Sequence, residues 1–221
     1  MAKTDLLKPY RAKRDFSITP EPAGLKGDGK AETDLSFVVQ KHWASGLHYD
    51  FRLELDGTMK SWAVPKGPSF DPHDKRMAVH VEDHPISYNS FEGEIPPGQY
   101  GAGKVIIWDK GTWIPLEDPR RGYRGGKLKF ELRGHKLKGH WTLVRMRNEE
   151  EKKQEPWLLI KEKDEYVRPA SEYSVVDEMP DSVAGLEMPD SLNEAKTYGA
   201  KAALKKKVSG LPDLPANALQ S

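Results

Sequence analysis

The chain has 221 residues and no cysteine, and 35 Lys and Arg against 34 Asp and Glu leave a formal charge of +1. The lack of cysteine excludes a disulfide framework, a thiolate zinc site, an iron-sulfur cluster and a thiol nucleophile, and it fits a reducing, cytoplasmic setting. No stretch approaches the roughly 18 apolar residues of a membrane span and the charged first residues do not read as a signal peptide, while near neutrality argues against a general nucleic-acid coat and leaves room only for a local basic face.

The length predicts one domain with extensions. Residues 1–30 carry seven basic and four acidic groups with Pro9, Pro20, Pro22 and three glycines, the texture of an irregular arm. From residue 31 to 168 short runs rich in Val, Ile, Phe, Tyr and Trp alternate with turn residues at Asp56-Gly57, Lys66-Gly67-Pro68, Asp109-Lys110-Gly111, Gly125-Gly126 and Arg133-Gly134. This spacing predicts an all-β fold, a closed or nearly closed β-barrel of about eight strands. The strands are expected near 35–41, 48–55, 60–65, 77–82, 103–108, 127–132, 139–146 and 157–163, with few helical periods between them. Residues 169–221 read as a flexible tail or linker: 177–194 hold six acids and no Lys or Arg, and 201–207 is a short basic segment.

The chemistry concentrates in 37–57. Along a strand His48, Asp50, Arg52 and Glu54 share one face while Tyr49, Phe51, Leu53 and Leu55 share the other, which is a core face. Gln40 and His42 share a face of the preceding strand, and the short 43–47 connection with Gly46 pairs the two strands as a hairpin. Two imidazoles and one carboxylate then converge as a divalent-metal site for Mn²⁺, Fe²⁺ or Zn²⁺. Arg52, two residues beyond Asp50, brings a fork of donors suited to phosphate.

A second cluster spans 76–88. Alternation places Met77, Val79 and Val81 on one face and His80, Glu82 and His84 on the other, with Pro85 ending the strand and Tyr88 beyond it. A histidine at that rim suits donation to a phosphoryl oxygen or protonation of a leaving group. The glycine-rich segment 93–103 lacks the Lys-Ser/Thr ending of a phosphate loop and reads as a tight loop at the barrel mouth. Residues 120–138 hold eight basic groups and one acid, either a nucleic-acid track or a solvated edge.

Taken in order, Gln40-Lys41-His42, the run from His48 to Gly57, Trp62-Ala63-Val64-Pro65-Lys66-Gly67, Glu82-Asp83-His84-Pro85 and Pro97-Gly98-Gln99-Tyr100-Gly101 closely resemble the phosphoesterase domain of bacterial DNA ligase D. The resemblance covers roughly 15–168. It implies a β-barrel enzyme of prokaryotic end joining, nucleoid-associated, that heals 3′ ends. In a Mn²⁺-dependent reaction such enzymes trim a 3′-terminal ribonucleotide from a primer-template to leave a 3′-phosphate, then remove the phosphate to expose a 3′-hydroxyl. The metal ligands it implies are His42, His48 and Asp50, with Arg52 and His84 on phosphate. Tyr88, Lys66, Arg76, Gln40 and Glu82 match further active-site positions. Arg14, Asp15 and Glu21 match an arm that supports ribonucleotide trimming. Expected partners are DNA or DNA-RNA 3′ ends and the ligase, polymerase and Ku components of end joining. The family domain is often fused to polymerase and ligase domains, whereas this chain has no adenylation lysine motif, so a standalone member or an excised domain is expected.

Two other readings stay open on the residues alone. His48-Tyr49-Asp50 with a distant histidine imitates the facial triad of a non-haem Fe²⁺ oxygenase. A non-catalytic nucleic-acid module would use the 120–138 strip.

Overall fold

The computed structural model describes residues 4–24, 35–147 and 154–189. The alternating segment folds as the expected hairpin, β1 (Leu35–Trp43) and β2 (Leu47–Leu55), with Gln40 opposite Asp50 and His42 opposite His48. Strand β3 (Thr58–Val64) follows through Asp56 and Gly57. Their φ angles of 55° and 77° are the left-handed pair that a two-residue hairpin turn requires. Strands β4 (Arg76–His84), β5 (Gly93–Ile95), β6 (Gly103–Pro115), β7 (Lys127–Gly134), β8 (Lys138–Arg145) and β9 (Glu155–Lys161) complete the sheet.

The strand order is β1-β2-β3-β4-β9-β8-β7-β6-β5, every pairing is antiparallel, and a further β1–β6 pairing closes the ring. Eight strands form the barrel, and β5 hangs outside on β6. Closure leaves the barrel wall no free edge. Phe37, Val39, Phe51 and Leu53 turn inward with Trp62, Trp113, Trp141 and Trp157 to fill the interior. At about 25 cal/mol per Å² of apolar surface removed from water, these large rings dominate the burial term.

A second layer covers part of the outer wall. The helical turn α1 (Lys8–Ala12), the 3₁₀ segment Ile86–Ser90 and β5 bring Tyr10, Tyr88, Phe91 and Ile95 onto Val105. The polar face of the β1–β2 hairpin lies beneath this layer. The site is therefore on the outer wall rather than at the barrel mouth.

Several expectations need correction. Asp109-Lys110-Gly111 is no turn but the middle of β6. Asp109 is fully buried there, and its carboxylate accepts the backbone N–H groups of His135, Lys136 and Leu137. A helix, α2 (Pro119–Gly125), interrupts the strands, with Asp118 accepting from the N–H of Arg120 and Arg121 and Gly126 closing it in the left-handed region.

The 120–138 strip is not a continuous basic track. Arg120 pairs with Asp56, Arg133 with Glu131, and Lys136 is buried, its ammonium donating to the carbonyls of Met179 and Asp181. Residues 169–189 pack on the barrel: Val175, Met179 and Val183 are buried, α3 (Val175–Glu178) forms a single turn, and Trp108 donates to the Met179 carbonyl. The basic segment 201–207 lies outside the described residues.

Candidate metal and phosphate site

The hairpin register converts sequence spacing into a cluster. Opposite residues of an antiparallel pair share a face, so His42 and His48 meet with ring centroids 4.7 Å apart, and Asp50 lies beside both. His42 Nδ1 is 3.4 Å from Asp50 Oδ2, and His48 Nε2 is 3.6 Å from Oδ1. One ligand atom from each residue lies within 4.8 Å of the others.

The far nitrogens fix the tautomers. His42 Nε2 is 2.7 Å from the Gly101 carbonyl oxygen and His48 Nδ1 is 3.0 Å from that of Gly46. A carbonyl only accepts, so these nitrogens carry the hydrogens. In the neutral rings the lone pairs of His42 Nδ1 and His48 Nε2 then face Asp50. Imidazoles that hold metals are oriented in this way, by a second hydrogen bond on the opposite nitrogen. With no thiolate among them, the donors suit a borderline divalent transition ion.

Burial pushes the Asp50 carboxyl up. The Arg52 guanidinium, with hydrogen bonds from His42 and His48 when those rings carry a proton on the near nitrogen, outweighs that push and holds it well below the usual carboxylate range. Burial lowers His48, but contact with Asp50 and its charge prevail and raise it. The carboxylate is thus ionised, as a ligand must be.

Arg52 is 2% exposed and its fork is divided. Nε donates to Gln40 Oε1 at 2.9 Å and Nη2 approaches Asp50 Oδ2 at 3.2 Å, while Nη1 is buried with no partner. Leaving a buried charged donor unpaired costs at least about 1–3 kcal/mol. An anionic oxygen beside it recovers that cost. Gln40 is itself fully buried, and its amide donates to the carbonyls of Tyr88 and Phe91 at 3.0 Å each. Gln40 therefore aligns the guanidinium and ties the 3₁₀ segment to β1.

The arm and the end of β4 supply a second group. Arg14 Nε binds Glu21 Oε1 at 2.9 Å, its Nη1 reaches Glu82 Oε1 at 3.3 Å, and the Tyr88 hydroxyl donates to Glu21 Oε1 at 2.9 Å. His84 Nδ1 donates to the Glu82 carbonyl at 2.9 Å, so Nε2 is the acceptor facing Arg14 Nη2 at 3.3 Å. Burial, Arg52 and Arg14 hold the His84 pKa well below its ordinary value. The ring is neutral, and its Nε2 lone pair is turned to Arg14. The Arg52 guanidinium carbon lies 4.9 Å from the Tyr88 ring centroid and joins the two groups.

The alternation in β4 is broken. Met59 pairs with His84 but Ser61 pairs with Val81, so β4 carries an extra residue there. This bulge puts His84 on the same face as Val79 and Val81. His80 instead sits among Trp62 and Tyr123, its Nε2 2.8 Å from the Tyr123 hydroxyl, away from the site.

Three matched residues do not join the cluster. Asp15 is exposed, and its carboxylate accepts from the N–H and hydroxyl of Ser17. Lys66 is exposed after β3, and Arg76 at the start of β4 pairs with Asp74 at 3.1 Å. The sequence reading missed Tyr10, Lys13 and Gly101. Tyr10 is fully buried, with its ring 4.9 Å from that of His84 and 3.9 Å from the Arg14 guanidinium carbon. Lys13 donates to Glu82 at 2.9 Å. Gly101, with φ at 75°, presents its carbonyl to His42. Its signal was the glycine-rich loop, whose use is to hold a ligand ring rather than a phosphate.

The closed barrel thus bears on its outer wall a two-histidine, one-carboxylate cluster that could hold a metal ion, beside two buried arginines. Residues 40–145 match the family model of the DNA ligase D 3′-phosphoesterase domain. This barrel belongs to that family. The chain is 50% identical over 216 residues to the multifunctional non-homologous end joining protein LigD of Pseudomonas aeruginosa, covering 97% of this chain and 26% of that protein. It is 45% identical over 148 residues to the LigD of Mycobacterium tuberculosis, covering 64% of this chain and 18% of that protein, and 40% identical over 167 residues to that of Mycolicibacterium smegmatis, covering 73% and 21%. The chain thus spans about a quarter or less of the length of these relatives. Among the described residues no helix is long and apolar enough to cross a membrane.

Proposed function

We propose that this chain is a metal-dependent 3′-end-healing phosphoesterase of end joining, removing a 3′-terminal phosphate, and a 3′-terminal ribonucleotide before it, to leave a 3′-hydroxyl. The observation that carries the reading is the junction of the His42-His48-Asp50 cluster with Arg52, whose buried Nη1 has no partner. His42 through Nδ1, His48 through Nε2 and Asp50 are the residues that would hold Mn²⁺ or a related ion. Such an ion supplies Lewis-acid stabilisation of charge on a phosphoryl oxygen.

The chain's own groups do the rest. Arg52 gives a fixed donor to a phosphate oxygen and Gln40 prevents it from turning away, so the charge is met by groups that need no reorganisation. Arg14 adds a second cation, held by Glu21 and Glu82. His84, neutral with Nε2 accepting from Arg14, holds that guanidinium in place beside the cluster. Water adds to phosphorus, the bond from phosphorus to the 3′ oxygen breaks, a proton of the attacking water passes to the departing 3′ oxygen, and inorganic phosphate and a 3′-hydroxyl result. The spare Arg52 donor beside the cluster favours this chemistry over that of an oxygenase. Membership of the family supports DNA ends as substrate, and the relatives' names support a place in non-homologous end joining; ligase, polymerase and Ku components in the prokaryotic cytoplasm are the partners proposed for it.

The test is a labelled primer-template ending in one ribonucleotide, incubated with several divalent metals, with 3′-phosphate and 3′-hydroxyl products resolved. Both products are expected in order, with Mn²⁺ effective. His42→Ala and Asp50→Ala are expected to abolish both steps and keep the fold. Normal phosphate release by either variant in metal-defined buffer removes the assignment.

A further inference from the structure

Of six tryptophans, Trp62, Trp108, Trp113, Trp141 and Trp157 are buried, whereas Trp43 is 37% exposed. It follows His42 on β1, so its ring lies on the opposite face of that strand from the imidazole. Leu47, its partner across the hairpin, is also exposed. The ammonium groups of Lys41 and Lys104 lie 5.0 and 5.7 Å from the ring centroid, and Lys104 is also the cross-strand partner of Trp43 on β6. Ring and lysines line a cleft of about 930 Å³ together with residues 92–94 and 180–182. Three acids also line the cleft: Glu92 accepts from the Ile107 N–H and the Ser182 hydroxyl, Glu94 is the cross-strand partner of Lys104, and Asp181 acts on the charge of Lys41.

An exposed flat ring flanked by cations gains most from a flat partner that carries negative charge along its edge. A nucleotide has that chemistry, its base stacking on the ring and its phosphates meeting the ammonium groups. A base inside a duplex has both faces covered by its neighbours, so the ring selects an unpaired one. The same hairpin carries the metal-ligand cluster on its other face, so one nucleic acid reaching around the tip meets both.

We propose that Trp43, with Lys41 and Lys104, is a stacking platform for an unpaired nucleotide of the substrate whose 3′ end enters the His42 face. The inference rests on the reading of the site as acting on nucleic-acid 3′ ends.

The experiment measures fluorescence anisotropy of a labelled single-stranded oligodeoxynucleotide and of a blunt duplex of equal length, each titrated with the full chain in the absence of divalent ions. Trp43→Ala is expected to weaken single-strand binding about five- to thirtyfold, with Trp43→Phe restoring most of it and duplex affinity unchanged. Lys41→Ala and Lys104→Ala are expected to lower the salt dependence. Phosphate release should fall more in Trp43→Ala on an oligonucleotide 3′-phosphate than on a nucleoside 3′-monophosphate, which has no second base. Unchanged single-strand binding in Trp43→Ala, equal loss on the blunt duplex, or failure of Trp43→Phe to restore binding overturns the platform. Absence of phosphate release from every 3′-phosphate tried with the parent chain instead counts against the function reading.

Discussion

His42 donates through Nε2 to the Gly101 carbonyl at 2.7 Å, so a loop far away in sequence fixes which nitrogen of a metal-ligand candidate is free. Gly101 adopts φ of 75°, and a Cβ there would lie 3.4 Å from His42 Cε1. Gly101→Ala therefore strains the loop in a region that disfavours L side chains and crowds the ring it orients. Loss of such an orienting bond costs about 10- to 100-fold in metal affinity. Isothermal titration of Mn²⁺ into the variant is expected to show a weakening in that range with the fold retained. Parental affinity would remove Gly101 from the site.

Gln40 joins three buried groups, Arg52 Nε, the Phe91 carbonyl and the Tyr88 carbonyl, of which the last also accepts from the Phe91 N–H at 3.0 Å. Gln40→Leu keeps the volume and removes all three bonds. At about 1–3 kcal/mol for each buried group left unsatisfied, the variant should lose more than about 2 kcal/mol of stability. Urea unfolding should show a lower midpoint with little change in slope. Turnover on 3′-phosphate ends should also fall, since nothing then aligns the guanidinium. A variant as stable as the parent would mean that water or relaxation replaces these bonds.

Metal binding at this cluster should release a proton. His48 is raised above its ordinary value, chiefly by Asp50 working against burial, while a ligand imidazole must be neutral at Nε2. Below that raised pKa the proton competes, so apparent affinity should rise with pH through the range just above about 6.5 and then level off. Titrations in buffers of different ionisation enthalpy should give proton release that declines at higher pH. Affinity that is flat between pH 6 and 8 contradicts the assignment of His48.

The hairpin and its cluster were legible because period-two alternation and a short turn leave one register that buries Tyr49, Phe51 and Leu53. The same rule failed at His80, because a single bulge residue reverses parity and has no composition signal of its own. The closing β1–β6 pair and the outer-wall location were not legible, since both depend on contacts between residues remote in sequence. Helix α2 did leave a local trace, Asp118-Pro119 before and Gly125-Gly126 after, but seven residues show too little periodicity to outweigh the surrounding strands. Asp109 misled for a specific reason: Asp before Lys-Gly reads as a turn, yet here the carboxylate is buried to cap the β7–β8 turn.

The last consequence concerns acid. His84 is held well below its ordinary pKa by burial, Arg52 and Arg14, and burial lowers His135 to about 4. In both cases the unfolded chain binds a proton more readily than the folded one, so stability rises with pH wherever that difference exists. Their contribution is complete above about pH 6.5 and is lost as pH falls from there towards the depressed folded values. Asp50, also depressed, adds a further loss only below the ordinary carboxylate range, near pH 4 and lower. Urea midpoints measured from pH 7.5 to 4.5 should therefore decline from near 6.5 rather than near 4. The slope is moderated by His48, which is raised, and by Asp109, raised to about 6, since both bind a proton more readily in the folded chain. His84→Gln removes one titrating group and should flatten the slope while lowering stability at neutral pH through its lost packing against Tyr10 and Tyr88. A decline that begins only near pH 4, or an unchanged slope in His84→Gln, would show that His84 is not held neutral in the folded chain.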